Sequence, residues 1–209
     1  MSCAGEKMKK ATKTLLIVIG VIAVLIIGGC NFYSGTYNSM VSMEEGVKSS
    51  WSQVENQYQR RLDLIPNLVE TVKGYASHES SVFEEVATAR ASAGGVMQMS
   101  DDLLDDPDAF ARFQQAQTSL GGALTRLLSV TENYPELKAN EQFLALQDQL
   151  EGTENRISTE RKRFNDSVLS YNTYIRMFPK NLIANMSGFR QKEYFKAQAG
   201  AESAPKVQF

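Results

Sequence analysis

The stretch NEQFLALQDQLEGTENRISTERKRFNDSVLSYNTYIRM, Asn140–Met177, decides the fold. Phe143, Leu146, Leu150, Ile157, Phe164, Val168, Tyr171 and Ile175 recur in steps of three and four, and Glu154 and Arg161 fill the two remaining positions of the stripe. One apolar face held in phase this long is the pattern of a bundle helix or a coiled coil. Pro179 closes it, and a shorter helix from about Lys180 to Phe195 is expected behind it, then a loose tail at 197–209.

Working backwards, the same spacing appears twice more. Val47, Trp51, Val54, Tyr58, Leu62, Ile65, Val69, Val72 and Ala76 form a first stripe. Its phase carries on through Glu79, Phe83, Val86 and Arg90, so one long helix is expected, kinked near Arg61–Ile65 by Pro66. Residues 91–108 read as a break, with SAGG as a flexible piece and an Asp cap ahead of Pro107. A second helix then runs from about Asp108 to Asn133, weakened at Gly121–Gly122 for close packing and ended by Pro135. No segment alternates with a period of two, so no strand is expected. The fold class is all-α: about four long helices with short links, packed antiparallel as an elongated bundle over residues 37–196.

Ahead of the bundle stands TLLIVIGVIAVLIIGGCNFY, residues 14–33, without a charge. Twenty residues at 1.5 Å each cross a hydrocarbon layer of about 30 Å. The segment 14–36 is therefore a transmembrane helix or a lipoprotein signal, whose small residues Gly28 and Gly29 precede Cys30 as a lipidation site. In the basic tail 1–13, Lys7, Lys9, Lys10 and Lys13 stand against Glu6, a balance of +3; the chain's net charge of −2 leaves −5 for the remainder. The lysine bias puts the N-terminus in the cytoplasm and the bundle outside it. An acidic domain with no basic stripe excludes nucleic acid as a partner.

Chemistry is sparse. His78 is the single histidine, and both cysteines, Cys3 and Cys30, lie outside the bundle. That excludes a His/Cys metal centre and a nucleophile–base–orienter triad, and no phosphate loop follows a strand, so no cofactor and no catalysis are expected. Charged residues at core phase remain: Arg61, Glu79, Arg90, Glu132, Glu154 and Arg161. Asn165 and Asn172 lie nearby; buried charges must be paired, so the group is expected to form a structural polar network between helices, with a ligand or proton site inside the bundle as the alternative. Leu64, Leu68 and Tyr75 fall off the main stripe: either a fourth helix covers them, or they form an interaction surface toward another copy or another membrane protein.

The motif WSQVENQYQRRLDLIPNLVETVKGYASHE (Trp51–Glu79), preceded by Tyr37–Asn38, resembles the signature of the LemA family. ENYPELKANEQFLALQDQLEGTENRISTERKRFNDSVLSYN (Glu132–Asn172), FPKNLIA (Phe178–Ala184) and PKVQF (Pro205–Phe209) are similar to the same family. The resemblance implies a bacterial cell-membrane protein with a helical, bundle-like domain, transmembrane or lipid-anchored at Cys30. It brings no catalytic residues. The expected function is a membrane-anchored scaffold or interaction protein of the cell envelope that self-associates, with a binding module for a lipid or envelope ligand as the alternative and an enzyme as the remote one.

Overall fold

A computed structural model describes residues 3–98 and 103–196, which contain helices and turns and, among those residues, no strand. The helices are α1 Cys3–Lys73, α2 Ser80–Gln98, α3 Pro107–Thr131, α4 Pro135–Lys138, α5 Glu141–Arg176 and α6 Lys180–Ser187. The expected loose tail at 197–209 lies outside the described residues.

α1 carries the apolar segment and the first bundle helix without interruption. Leu15, Leu16, Ile17 and onward to Ile27 are exposed, whereas Thr36, Met40 and Val47 are buried, so packing begins at the point where the greasy run ends. Pro66 does not end the helix. A proline lacks the N–H that would bond the carbonyl four residues back. That carbonyl is Leu62 O, and Arg90 Nε donates to it at 3.0 Å.

Neighbouring helices run antiparallel. Along α1 and α5, Ser50 meets Ser167, Arg61 meets Glu154 and Tyr75 meets Asn140. Arg90 of α2 reaches back to Leu62 of α1, and Arg126 of α3 pairs with Glu85 of α2. Two core clusters result. Toward the apolar segment, Trp51 sits among Phe110, Phe113, Phe164 and Phe195, with ring centroids 5.3–5.9 Å away. Aromatic pairs at this spacing each contribute about 0.5–1.5 kcal/mol beyond burial. The far end is mostly aliphatic, with Ile65, Leu68, Val72, Val86, Leu120, Leu127 and Leu137 beside Phe83 and Phe143.

Four expectations change. The long first helix stops at Lys73; residues 74–79 turn the chain, and α2 begins at Ser80. The SAGG piece is helical inside α2, with Gly94 facing Leu62. The last helix ends at Ser187, because Gly188 adopts φ +80 in the left-handed region that glycine occupies without strain. The bundle has two short helices, α4 and α6, besides its long ones. The Asp cap lies where the sequence placed it, Asp106 Oδ1 accepting from Asp108 N at 2.9 Å ahead of Pro107, and the structure adds a second, Asn140 Oδ1 accepting from Phe143 N at 3.0 Å.

Candidate functional site

α3 and α5 flank a groove of about 640 Å³ whose floor is α1 and whose end is closed by Phe195 and Lys196. Tyr58, Arg61, Gln117, Glu154 and Arg161 line its polar half, and Leu124, Leu128 and Leu150 the apolar half. Gly121 and Gly122 border this open space. No atom lies within 4 Å of where their Cβ atoms would stand, so they keep one wall low and do not serve close packing.

Arg61 is 4% exposed. Its Nη1 donates to Glu154 Oε1 at 2.9 Å, its Nη2 to Gln117 Oε1, and its guanidinium lies 5.1 Å from the Tyr58 ring centroid. One heptad along α5, Arg161 covers the Phe195 ring at 4.4 Å and donates to the Lys196 carbonyl at 3.3 Å. Three buried nitrogens around the groove have no partner: Arg61 Nε, Arg161 Nε and Gln117 Nε2. All three are N–H donors, a set that calls for an acceptor. Burial pushes the Tyr58 hydroxyl up, against the pull of the Arg161 and Arg61 charges.

The chain after Gly188 forms a strap along α5. Asn172 brackets Lys192, its Oδ1 accepting from Lys192 N at 3.0 Å and its Nδ2 donating to Lys192 O at 2.9 Å. Asn165 does the same for Phe195, at 2.9 and 3.1 Å. One heptad of helix rises about 10.5 Å, and three extended residues span about 10 Å, so the two clamps match. The Lys192 ammonium is buried between Glu44 of α1, 2.9 Å away, and Asp105 ahead of α3. Burial works against that charge, but the hydrogen bonds to Asp105 and Glu44 outweigh it and hold the ammonium above the ordinary lysine range. Burial, beside the same two carboxylates, pushes the Tyr171 hydroxyl up.

The charged residues singled out by phase do not form one network. Arg61 and Glu154 pair directly, with Arg161 along the same groove. Arg90 lies on the α1–α2 side and serves Leu62. Glu79, in the turn before α2, accepts from Tyr134 Oη at 3.5 Å, and Glu132, exposed after α3, pairs with Lys138 at 2.8 Å. Of the proposed interaction residues, Leu68 is 2% exposed and belongs to the aliphatic core, Leu64 is half-buried, and only Tyr75 is exposed, its hydroxyl accepting from Asn140. These three therefore do not make an open patch. Cys30 is exposed and free. His78 lies in the turn before α2, not on the first helix, and no group of three His, Cys, Asp or Glu able to hold a metal occurs among the described residues. The strap, Gln117 and Lys192 were missed. The alternation of Asn165 and Asn172 at one heptad, on the face beside the stripe, was the available signal.

Among the described residues, one helix, α1, is long and apolar enough to cross a membrane. The LemA family model matches residues 50–209. The magnetosome protein MamQ of Magnetospirillum gryphiswaldense is 29% identical over 182 residues, covering 80% of this chain and 67% of that protein. The magnetosome proteins MamQ 2 and MamQ 1 of Paramagnetospirillum magneticum are each 28% identical over 205 residues, covering 91% of this chain and 72% of theirs. These relatives and the apolar helix fit a membrane-associated helical protein.

Proposed function

The chain belongs to the LemA family, and from that premise we propose that it is a membrane-anchored scaffold, whose bundle stands on the bilayer as a surface for assembly with further copies or with other membrane proteins. The carrying observation is the continuity of α1. The same helix that presents its apolar run to its surroundings enters the core at Met40 with no linker between, which supports a bundle mounted directly on its anchor. The relatives' names place those proteins at a magnetosome, which supports a part in an assembly over a part in catalysis. The N-terminal lysines favour a bundle outside the cytoplasm. Leu144 and Leu169, exposed apolar residues on α5, are the contact positions this reading puts forward. Photo-crosslinking from those two positions in intact membranes, with native mass spectrometry of the full chain, tests it. A discrete adduct and a mass above one copy are expected. A single copy without adducts at either position sinks the scaffold.

A second reading, a binding module, is favoured by the cationic lining of the groove. Arg61, Arg161 and Lys196 outnumber the single carboxylate Glu154 there, so the ligand would carry an oxyanion and an apolar body along Leu124 and Leu150. Hexyl phosphate titrated into the full chain in nanodiscs is the probe. Saturable binding that weakens at least about tenfold, about 1.4 kcal/mol, in Arg161→Gln supports this reading, and binding of equal strength in both proteins removes it.

A further inference from the structure

The end of the bundle nearest the apolar run has an unusual surface. Phe178 is 82% exposed and Met186 81%, with Met177 and Leu182 also open. They occupy the corner between α5 and α6 and the outer side of α6. The inner side of α6 is already used, with Ile183 and Ala184 buried against the core. An eight-residue helix that is apolar inside and still shows Leu182 and Met186 outside is ill suited to water. Residues 176–190 hold Arg176, Lys180 and Arg190 and no acidic residue, in a chain whose net charge is −2.

Depth follows from contacts. α6 continues toward the apolar run, and its last residue, Ser187, meets Tyr33 with 3.2 Å between hydroxyl oxygens. Past the Gly188 turn the chain doubles back, and Phe189 packs on Tyr37 with centroids 5.5 Å apart. A hydrocarbon layer of about 30 Å starting at Leu15 is crossed after about 20 residues, at about Ser34. The headgroup layer adds about 5–7 Å, or about four residues more, which reaches Asn38. Met186 is thus level with the edge of the hydrocarbon, Leu182, one turn back along α6, is level with the headgroups, and Phe178 and the three basic residues stand at the outer boundary of the headgroup layer. Tyr33 and Tyr37 stack at the same height, as aromatic residues do at a membrane interface.

We propose that the α5–α6 corner is a second lipid contact: Met186 enters the outer edge of the hydrocarbon that α1 crosses, Leu182 lies among the headgroups with Phe178 at their outer boundary, and Arg176, Lys180 and Arg190 reach anionic phosphates. Long basic side chains lay their stems on apolar surface and extend their charge to such groups. The proposal rests on α1 being a membrane span. With two contacts instead of one, the bundle keeps a set rotation about α1, and one side of it always faces the membrane.

The test uses the full chain in proteoliposomes containing phosphatidylglycerol, with tryptophan at one of three places: Met186→Trp, Leu182→Trp or Ile22→Trp. The native Trp51 stands about 27 Å along α1 from Tyr33 and gives a constant background. Lipids brominated high in the acyl chain are expected to quench more than half of the added emission at 186 and a smaller share at 182. Lipids brominated near the chain end are expected to act mainly at 22. If 22 is quenched and 186 and 182 are not, the corner proposal falls while the span stands, whether those indoles are wet or covered by another copy. If none of the three is quenched, the membrane reading itself falls.

Discussion

Pro66 leaves the Leu62 carbonyl without its helical donor, and Arg90 supplies one from the next helix. An isolated buried carbonyl costs about 1–3 kcal/mol, so the guanidinium turns a local defect into a tie between α1 and α2. The consequence is a coupling between two residues distant in sequence. Arg90→Ala is expected to destabilise the protein by about 1–2 kcal/mol. In a Pro66→Ala background, where an N–H closes back onto Leu62, the same change is expected to cost clearly less. Urea unfolding of the four proteins in detergent, followed by Trp51 emission, gives the cycle. Equal costs in both backgrounds would mean that Arg90 acts through something other than that carbonyl. Arg61 shows the complementary case. Its charge is buried while Glu154 stays half in water, so the pair fixes where α5 lies on α1 more than it adds stability.

At the scale of elements, α5 was legible from end to end, because its stripe runs unbroken from Asn140 and Pro179 closes it. The α1–α2 boundary was not. Ala76, Glu79, Phe83 and Val86 keep three–four spacing across the turn at 74–79, so periodicity alone has no means of seeing the chain reverse there. Apolar phase also carried the last helix too far: Phe189 and Phe195 pack inward from an extended strap, and Gly188 was the sign that the helix stops. In the candidate groove, Arg61, Glu154 and Arg161 could be read because charge at core phase is visible in one dimension. Gln117 could not, since a neutral amide on α3 becomes part of the site only through the Arg61 contact. The strap yields its own prediction. Each of Asn165 and Asn172 makes two hydrogen bonds to it, and those of Asn172 are the more buried. At about 1 kcal/mol per bond, Asn172→Ala is expected to cost about 2 kcal/mol and Asn165→Ala less. Hydrogen exchange should show the Lys192 and Phe195 amides losing protection while the α2–α3 pair keeps its own. If protection falls equally throughout, the strap is not a separable unit.

At the scale of the molecule, the decisive property is that anchor and bundle share one helix. From Tyr33 to Lys73 α1 rises about 60 Å, so the far end with α4 stands about that distance from the bilayer when α1 is upright. A scaffold gains from this only if the helix is stiff where it leaves the membrane. Thr36 and Met40, one turn apart and both buried, mean that packing supports α1 from its first residues beyond Tyr33. Ser39 lies between them, half-buried, with its hydroxyl bonded back to the Gly35 carbonyl of its own helix, so Ser39→Pro removes bonds to Gly35 and crowds that carbonyl while Thr36 and Met40 keep their side chains. The bundle is expected to stay folded, with Trp51 emission unchanged. Distances from a spin label at Glu136, exposed in α4, to labelled headgroups are expected to form a narrow distribution in the parent protein and a broad one in the variant. A parent distribution as broad as the variant's would show that the bundle swings freely. In that event the continuity of α1 would position nothing, and the anchor would be a tether instead of a mount.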